Sequence, residues 1–192
     1  MTDDGRRHVR DPQAIRALAH PVRLALLEAL SGEGTATATR CAELVGESVA
    51  SCSFHLRTLE KHGFIERAPG TGREKPWRLT STTQLIEPAP DAEGRAVAAA
   101  VDEFLLDQEA GRLRAWWARR DAEDPPWRDA TQMSGSTAWL TAEEVAELHE
   151  ALAAVTEQFF VQRAGDPAGR PDGARPVRLF TATSVGLSTG TG

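Results

Sequence analysis

Two glycine stops bracket the most restrictive stretch of this chain. A short helical pattern over about 37–45 ends at Gly46, a second over about 48–62 ends at Gly63, and a compact hairpin follows at once. Glycine just beyond a helix supplies the left-handed backbone that closes it. The hairpin runs Phe64-Ile65-Glu66-Arg67-Ala68, turns through Pro69-Gly70-Thr71-Gly72-Arg73-Glu74-Lys75, and returns as Pro76-Trp77-Arg78-Leu79-Thr80. Pro and Gly are turn chemistry, and the tip of this turn is basic. Helix, tight turn, helix and hairpin, in that order, spell a winged helix-turn-helix.

Two more helices are expected upstream. Asp11-Pro12 is a cap followed by proline at the first helical position, and the helix it opens carries Ile15 and Leu18. His20-Pro21 interrupts it. A second helix over about 21–30 places Val22, Leu26, Leu27 and Leu30 at helical spacing, and Ser31-Gly32-Glu33-Gly34 ends it. In the third helix, Cys41, Leu44 and Val45 are the apolar positions.

The helix over 48–62 carries the chemistry. On a 100° wheel Val49, Cys52, Leu56 and Leu59 fall on one face, expected to bury against the preceding helices. The opposite face carries Ala50, Phe54, Arg57 and Lys61, flanked by Ser51 and Ser53, with Ser48 at the start. Small residues let a helix backbone approach base edges, hydroxyls bond bases or phosphates, and Arg57 can meet guanine bidentately. Phe54 on a polar face suits a thymine methyl. His55 lies on the flank, as a helix-orienting hydrogen bonder more than a base reader. Arg73 and Lys75 at the hairpin tip suit phosphates.

Residues 11–80 resemble the winged-helix core of ArsR-like repressors. The matching pieces are Leu18-Ala19-His20-Pro21-Val22-Arg23-Leu24, then Thr39 through Gly46, and Ser53-Phe54-His55-Leu56-Arg57-Thr58-Leu59 running on to Gly63-Phe64-Ile65. The resemblance implies a homodimer on a palindromic operator. It also implies that Ser53, His55 and Arg57 lie in the recognition helix and Arg73 and Lys75 in the wing. Metal-sensing members carry paired cysteines before the recognition helix, or His and carboxylate ligands on a terminal helix. Here Cys41 stands alone in its helix, and His149 and Glu150 are adjacent and point about 100° apart. No metal or other cofactor is expected. A metal- or thiol-responsive regulator is the alternative reading. Cys41 and Cys52 are expected on inward faces, as small hydrophobes.

Charge follows the same division. The net charge is −6, yet residues 1–80 hold 12 Lys and Arg against 10 Asp and Glu, while 81–192 hold 10 against 18. A basic surface over an acidic body can meet DNA while limiting unspecific contact. No apolar run approaches a membrane span, the first ten residues carry no apolar leader core, and two cysteines make no disulfide framework. These point to a cytoplasmic protein without membrane contact.

Glu87-Pro88-Ala89-Pro90-Asp91 reads as a stiff linker dividing a DNA-binding unit, 1–87, from a dimerisation and effector unit, 88–192. The expected fold is mainly α with small β (α+β). In the second unit a long helix over 94–120 carries Val97, Val101, Phe104, Leu105, Leu113, Trp116 and Trp117. Strands are expected at 131–139 and 177–182. Thr141-Ala142-Glu143-Glu144 is a capping box opening a helix with Val145, Leu148, Leu152, Val155 and Phe159, a narrow coiled-coil-like seam. Trp116, Trp117, Trp127 and Trp139 either pack the core and a dimer contact or wall a pocket for a small planar apolar effector.

No phosphate-binding glycine loop, nucleophile elbow or catalytic His–carboxylate spacing occurs, so an enzyme is not expected. A winged-helix protein-interaction module is the other rival. Such modules usually lack basic wing tips, and Arg73 and Lys75 argue against it.

Overall fold

Side-chain caps set where the helices begin. In a computed structural model that describes residues 6–70, 75–81, 83–87, 91–161 and 169–186, Asp11 accepts bonds from the backbone N–H groups of Gln13 and Ala14 and opens α1 (Pro12–Leu18). His20 does the same for α2 (Pro21–Glu33), its Nδ1 accepting from Val22 N at 3.2 Å. Thr37 caps α3 (Ala38–Val45) and Ser48 caps α4 (Val49–Lys61). Each hydroxyl or carboxylate satisfies a donor that the first helical turn leaves without a partner. Helix α2 runs past Leu30 through Gly32, three residues beyond the expected end, and closes at Gly34 with φ 72°.

The glycine stops behave as expected. Gly46 and Gly63 adopt φ 74° and 72°. After α4, Phe64 N donates to Leu59 O at 2.9 Å, the six-to-one bond of a Schellman closure. The wing follows as β2 (Ile65–Arg67) and β3 (Trp77–Leu79), antiparallel, with Ile65 opposite Leu79 and Arg67 opposite Trp77. Glu66 and Arg78 pair across the strands, and Ala36 adds one bridge to Trp77.

One pairing is absent from the sequence expectations. β1 (Arg6–Val9) lies parallel to β4 (Thr83–Ile86), with Arg6 opposite Thr83 and Val9 opposite Ile86. The Arg7 guanidinium donates to the His62 carbonyl at the end of α4 and stacks 4.3 Å over the Phe64 ring. The polar N-terminal segment therefore closes the far end of the fourth helix.

The core gathers Ile15, Leu26, Leu30, Cys41, Cys52, Leu56, Leu59, Phe64 and Ile65. Val97 and Val101, on α5 (Ala92–Arg119), belong to the same cluster. The first turns of α5 pack on α1, so the core does not stop at the proline linker, whose residues 88–90 lie outside the described residues.

Beyond Leu105 the long helix leaves the core, with Leu113 exposed and Trp116 and Trp117 half-buried. A 3₁₀ turn (Arg120–Ala122), α6 (Pro125–Ala130), α7 (Ala142–Thr156) and a π turn (Glu157–Val161) follow. Pro125-Pro126 opens α6, since proline fits a first helical turn. The Thr141–Glu144 capping box forms. The strands expected at 131–139 and 177–182 do not: both stretches are irregular and largely exposed, with no neighbouring strand among the described residues to satisfy them. Segment 169–186 is tied down by side chains instead. Arg175 pairs with Glu123, His149 bonds Thr183 at 3.1 Å, and Arg178 reaches Glu109. Glu109, buried on α5, also faces Arg112 at 3.6 Å, and Arg112 pairs with Glu28 of α2. Among the described residues no helix is long and apolar enough to cross a membrane.

Candidate nucleic-acid interface

Helix α4 is held from behind and bare in front. Cys52, Leu56 and Leu59 are fully buried against α2 and α3, while Ala50, Phe54, Arg57 and Lys61 are exposed one above another along the outer face. Ser51 and Ser53 flank that face, half-buried. Ser48 stands exposed at the start, and its Oγ accepts from Ser51 N at 3.1 Å. A hydroxyl that accepts this bond still has its own proton to donate. Phe54 is 60% exposed, high for a ring of that size.

Two positions exchange roles relative to the wheel. Val49, expected inside, is 43% exposed, and Leu44 of α3 is likewise exposed at 42%. Both lie beside the turn at Gly46, and Ala38, Cys41 and Ala42 are the buried side of α3. His55, expected among the DNA-facing residues, is only 8% exposed. Its ring stacks 4.3 Å from His20 and meets the Phe54 ring edge-on at 5.2 Å. A side chain so enclosed cannot reach a base, so His55 is removed from the contact set and assigned to holding α4 against α2.

The two imidazoles share a cationic neighbourhood. Burial, then Arg23, hold His20 below the ordinary imidazole range, with Glu47 opposing; burial, then His20 and Arg23, do the same for His55, again opposed by Glu47. The pair is therefore neutral where a free histidine would begin to take a proton.

Lys75 is exposed at the hairpin, and its carbonyl accepts from Arg67, whose guanidinium lies 3.4 Å over the buried Trp77 ring. Arg73, with Thr71, Gly72 and Glu74, lies outside the described residues. Cys41 and Cys52 are buried free thiols, as expected. Burial, then the neighbouring Cys52 and Glu33, push the Cys41 thiol up to about 11, and burial also raises Cys52. Thiolate chemistry is suppressed at both.

Trp139 is 96% exposed, and Trp116, Trp117 and Trp127 each lie under a guanidinium, from Arg119, Arg120 and Arg175 respectively. A cleft of about 370 Å³ opens elsewhere, between α1 and α5, walled by Ala96, Val97, Ala100 and Val101.

A family model described as a helix-turn-helix domain matches residues 18–68, the segment from the end of α1 to the close of β2. The matched residues carry α2, α3, α4 and β2, and with β3 they have the arrangement of a winged helix-turn-helix, in a chain that is mainly helical with a small antiparallel sheet. Solved structures with local likeness include a possible ArsR-family transcriptional regulator of Mycobacterium bovis, solved as a homodimeric winged helix-turn-helix DNA-binding domain. It is 22% identical, covering 52% of this chain and 76% of that one at a TM-score of 0.34. A mutant of Lactococcus lactis ZitR is 18% identical, with 73% and 75% covered and a TM-score of 0.33. A Mycobacterium tuberculosis MarR-family protein in complex with p-aminosalicylic acid is 19% identical, with 75% and 87% covered and a TM-score of 0.31. Superposition at that level attaches no function to this chain. No curated protein matches it.

Proposed function

We propose that this protein is a sequence-specific, double-stranded-DNA-binding transcriptional regulator that works as a homodimer. The outer face of α4 carries the reading: Ala50, Phe54, Arg57 and Lys61 are exposed in one row on a helix whose other side is locked into the core. A helix with that division can enter a major groove with its base-facing side chains free. Ser48, Ser51 and Ser53 supply short hydroxyls beside the row, and Lys75 with Arg73 supplies charge from the wing. In this reading α4 reads bases and the wing holds phosphates.

Dimerisation is assigned to residues beyond 90. Leu148, Leu152 and Val155 on α7, and Phe159 in the π turn that continues it, are each exposed by 36–52% along one seam. Covering that seam with a second copy removes apolar surface from water and pairs two recognition helices over a palindromic operator. Repression by occupying that operator is the regulatory mode this arrangement serves. Release by an effector in a tryptophan-walled pocket is not part of the proposal: Trp139 is 96% exposed, and guanidinium groups already cover the rings of Trp116, Trp117 and Trp127. Neither is a thiol switch, given two buried, protonated cysteines.

Selection of bound duplexes from a random library by the full chain tests the reading, followed by titration of the enriched duplex at rising salt. Enrichment of one sequence, with log affinity falling linearly in log salt, is the expected result. No enrichment, or affinity independent of salt, would refute it.

A further inference from the structure

We infer that Phe54 is a specificity-determining residue whose ring receives the C5 methyl of a thymine in the major groove. The inference rests on the DNA-binding reading above and names what that surface reads at one position. The observation behind it is an aromatic ring that is both exposed and braced. Phe54 is 60% exposed, yet it is not loose: the His55 ring meets it at 77° and 5.2 Å. His55 in turn stacks on His20 at 4.3 Å, and His20 is anchored by the bond its Nδ1 accepts from Val22 N. Thr58 Oγ1 donates to the Phe54 carbonyl one turn on. A ladder of three rings rooted in α2 thus fixes where the benzyl group projects, so little side-chain freedom remains to be lost on contact.

The surroundings decide what the ring can meet. Ala50, one turn earlier on the same row, adds no bulk, so the first half of the face is smooth and uncharged around Phe54. Arg57 and Lys61 come only one and two turns later. One ring and one methyl make an apolar spot far below the few hundred Å² typical of protein-docking patches. The polar, cationic flank suits a nucleic acid. Of the four bases only thymine presents a methyl group in the major groove, and apolar side chains recognise it by contact.

The test replaces thymine by uracil, which removes the methyl and leaves every hydrogen-bonding group. In the duplex selected by the full-length protein, each thymine is exchanged in turn and affinity is measured at fixed salt. One position per half-site should lose about fourfold, the equilibrium equivalent of exposing one methyl-sized group. Full-length Phe54→Ala should bind the thymine and uracil duplexes alike at that position. Phe54→Ser, a second variant, should do the same. Equal affinity of the unaltered protein for all uracil duplexes would overturn the inference while leaving DNA binding intact. An undiminished uracil penalty in both variants would overturn it too, because the methyl would then be read by another residue. Failure of the full chain to select any duplex would overturn the DNA-binding reading itself, and this inference with it.

Discussion

His55 is one imidazole placed between a core and a binding face, and its position makes stability depend on pH. The native protein holds both His20 and His55 below the ordinary imidazole value of about 6.5, first by burial. Above that pH neither the native nor the unfolded chain carries the protons, and the pair exerts no pull. As pH falls below it, the unfolded chain takes up protons that the native pair refuses, so stability is lost until the depressed native values are passed. Urea midpoints should therefore fall between pH 7.5 and 5.5, and His55→Phe should flatten that slope. A midpoint that rises with acidity would contradict the ring stack. At Arg57 the expected outcome is functional. Arg57→Ala should weaken binding of the selected duplex by about 1–3 kcal/mol with circular dichroism unchanged. Unaltered affinity in fluorescence anisotropy would remove Arg57 from the contact set. The outward row was legible in the sequence because small and charged residues recur at helical spacing. The exchange of Val49 and His55 was not. The wheel separates faces by angle alone, whereas Val49 lies in a first turn beside the exposed Leu44 and His55 finds a second ring to stack on.

Elements were legible where their ends are written in local chemistry. Asp11, Gly46, Gly63 and the Thr141 box all act as expected, since a cap depends on residues within a turn of it. Pairings between distant segments were not. β1 offers one buried apolar residue, Val9, in a run of cations, and its partner strand begins at Thr83. The reverse error occurs at 177–182, where an apolar run meets no strand. Local backbone demands also set the sign of two substitutions. Gly63→Ala forces a side chain into φ 72° with its Cβ 3.4 Å from the Arg7 guanidinium, and should cost about 1–2 kcal/mol. Gly32→Ala, within α2 and with open space around it, should instead add about 0.5–1 kcal/mol. Denaturant unfolding of both variants checks the pair. Equal signs would mean that α4 does not close through a left-handed residue.

Across the whole molecule, the seam of α7 and the shared core make different demands. Leu148→Asp with Leu152→Asp places charges on a face already 36–40% exposed, so the fold of one copy should persist. The double variant should sediment as a monomer at micromolar concentration, where the unaltered protein should sediment as a dimer. It should also bind the selected palindrome far more weakly. A variant that still sediments as a dimer would move the interface elsewhere. Cutting the chain at the proline linker is the less suitable experiment, because it strips Val97 and Val101 from the core that positions α4. The sequence placed a boundary there on two prolines, which stiffen a connection without deciding which side of it the next helix packs against.

The parallel pairing of β1 with β4 has a consequence during synthesis. Residues 6–9 are among the first made, but their partners at 83–86 and the core residues Val97 and Val101 follow much later. At about 5–20 residues per second the first strand waits roughly 4 to 15 s for its partner to be translated. Helices α2 to α4 can form as they emerge, since they pack mainly on one another, whereas α1 packs mainly on the later α5. The Arg7 clamp on the end of α4 belongs to the segment that must wait for β4. On the ribosome, then, α4 would exist before its far end is secured, and a nascent chain paused short of residue 83 would expose a half-finished helix-turn-helix to whatever protease or chaperone meets it first.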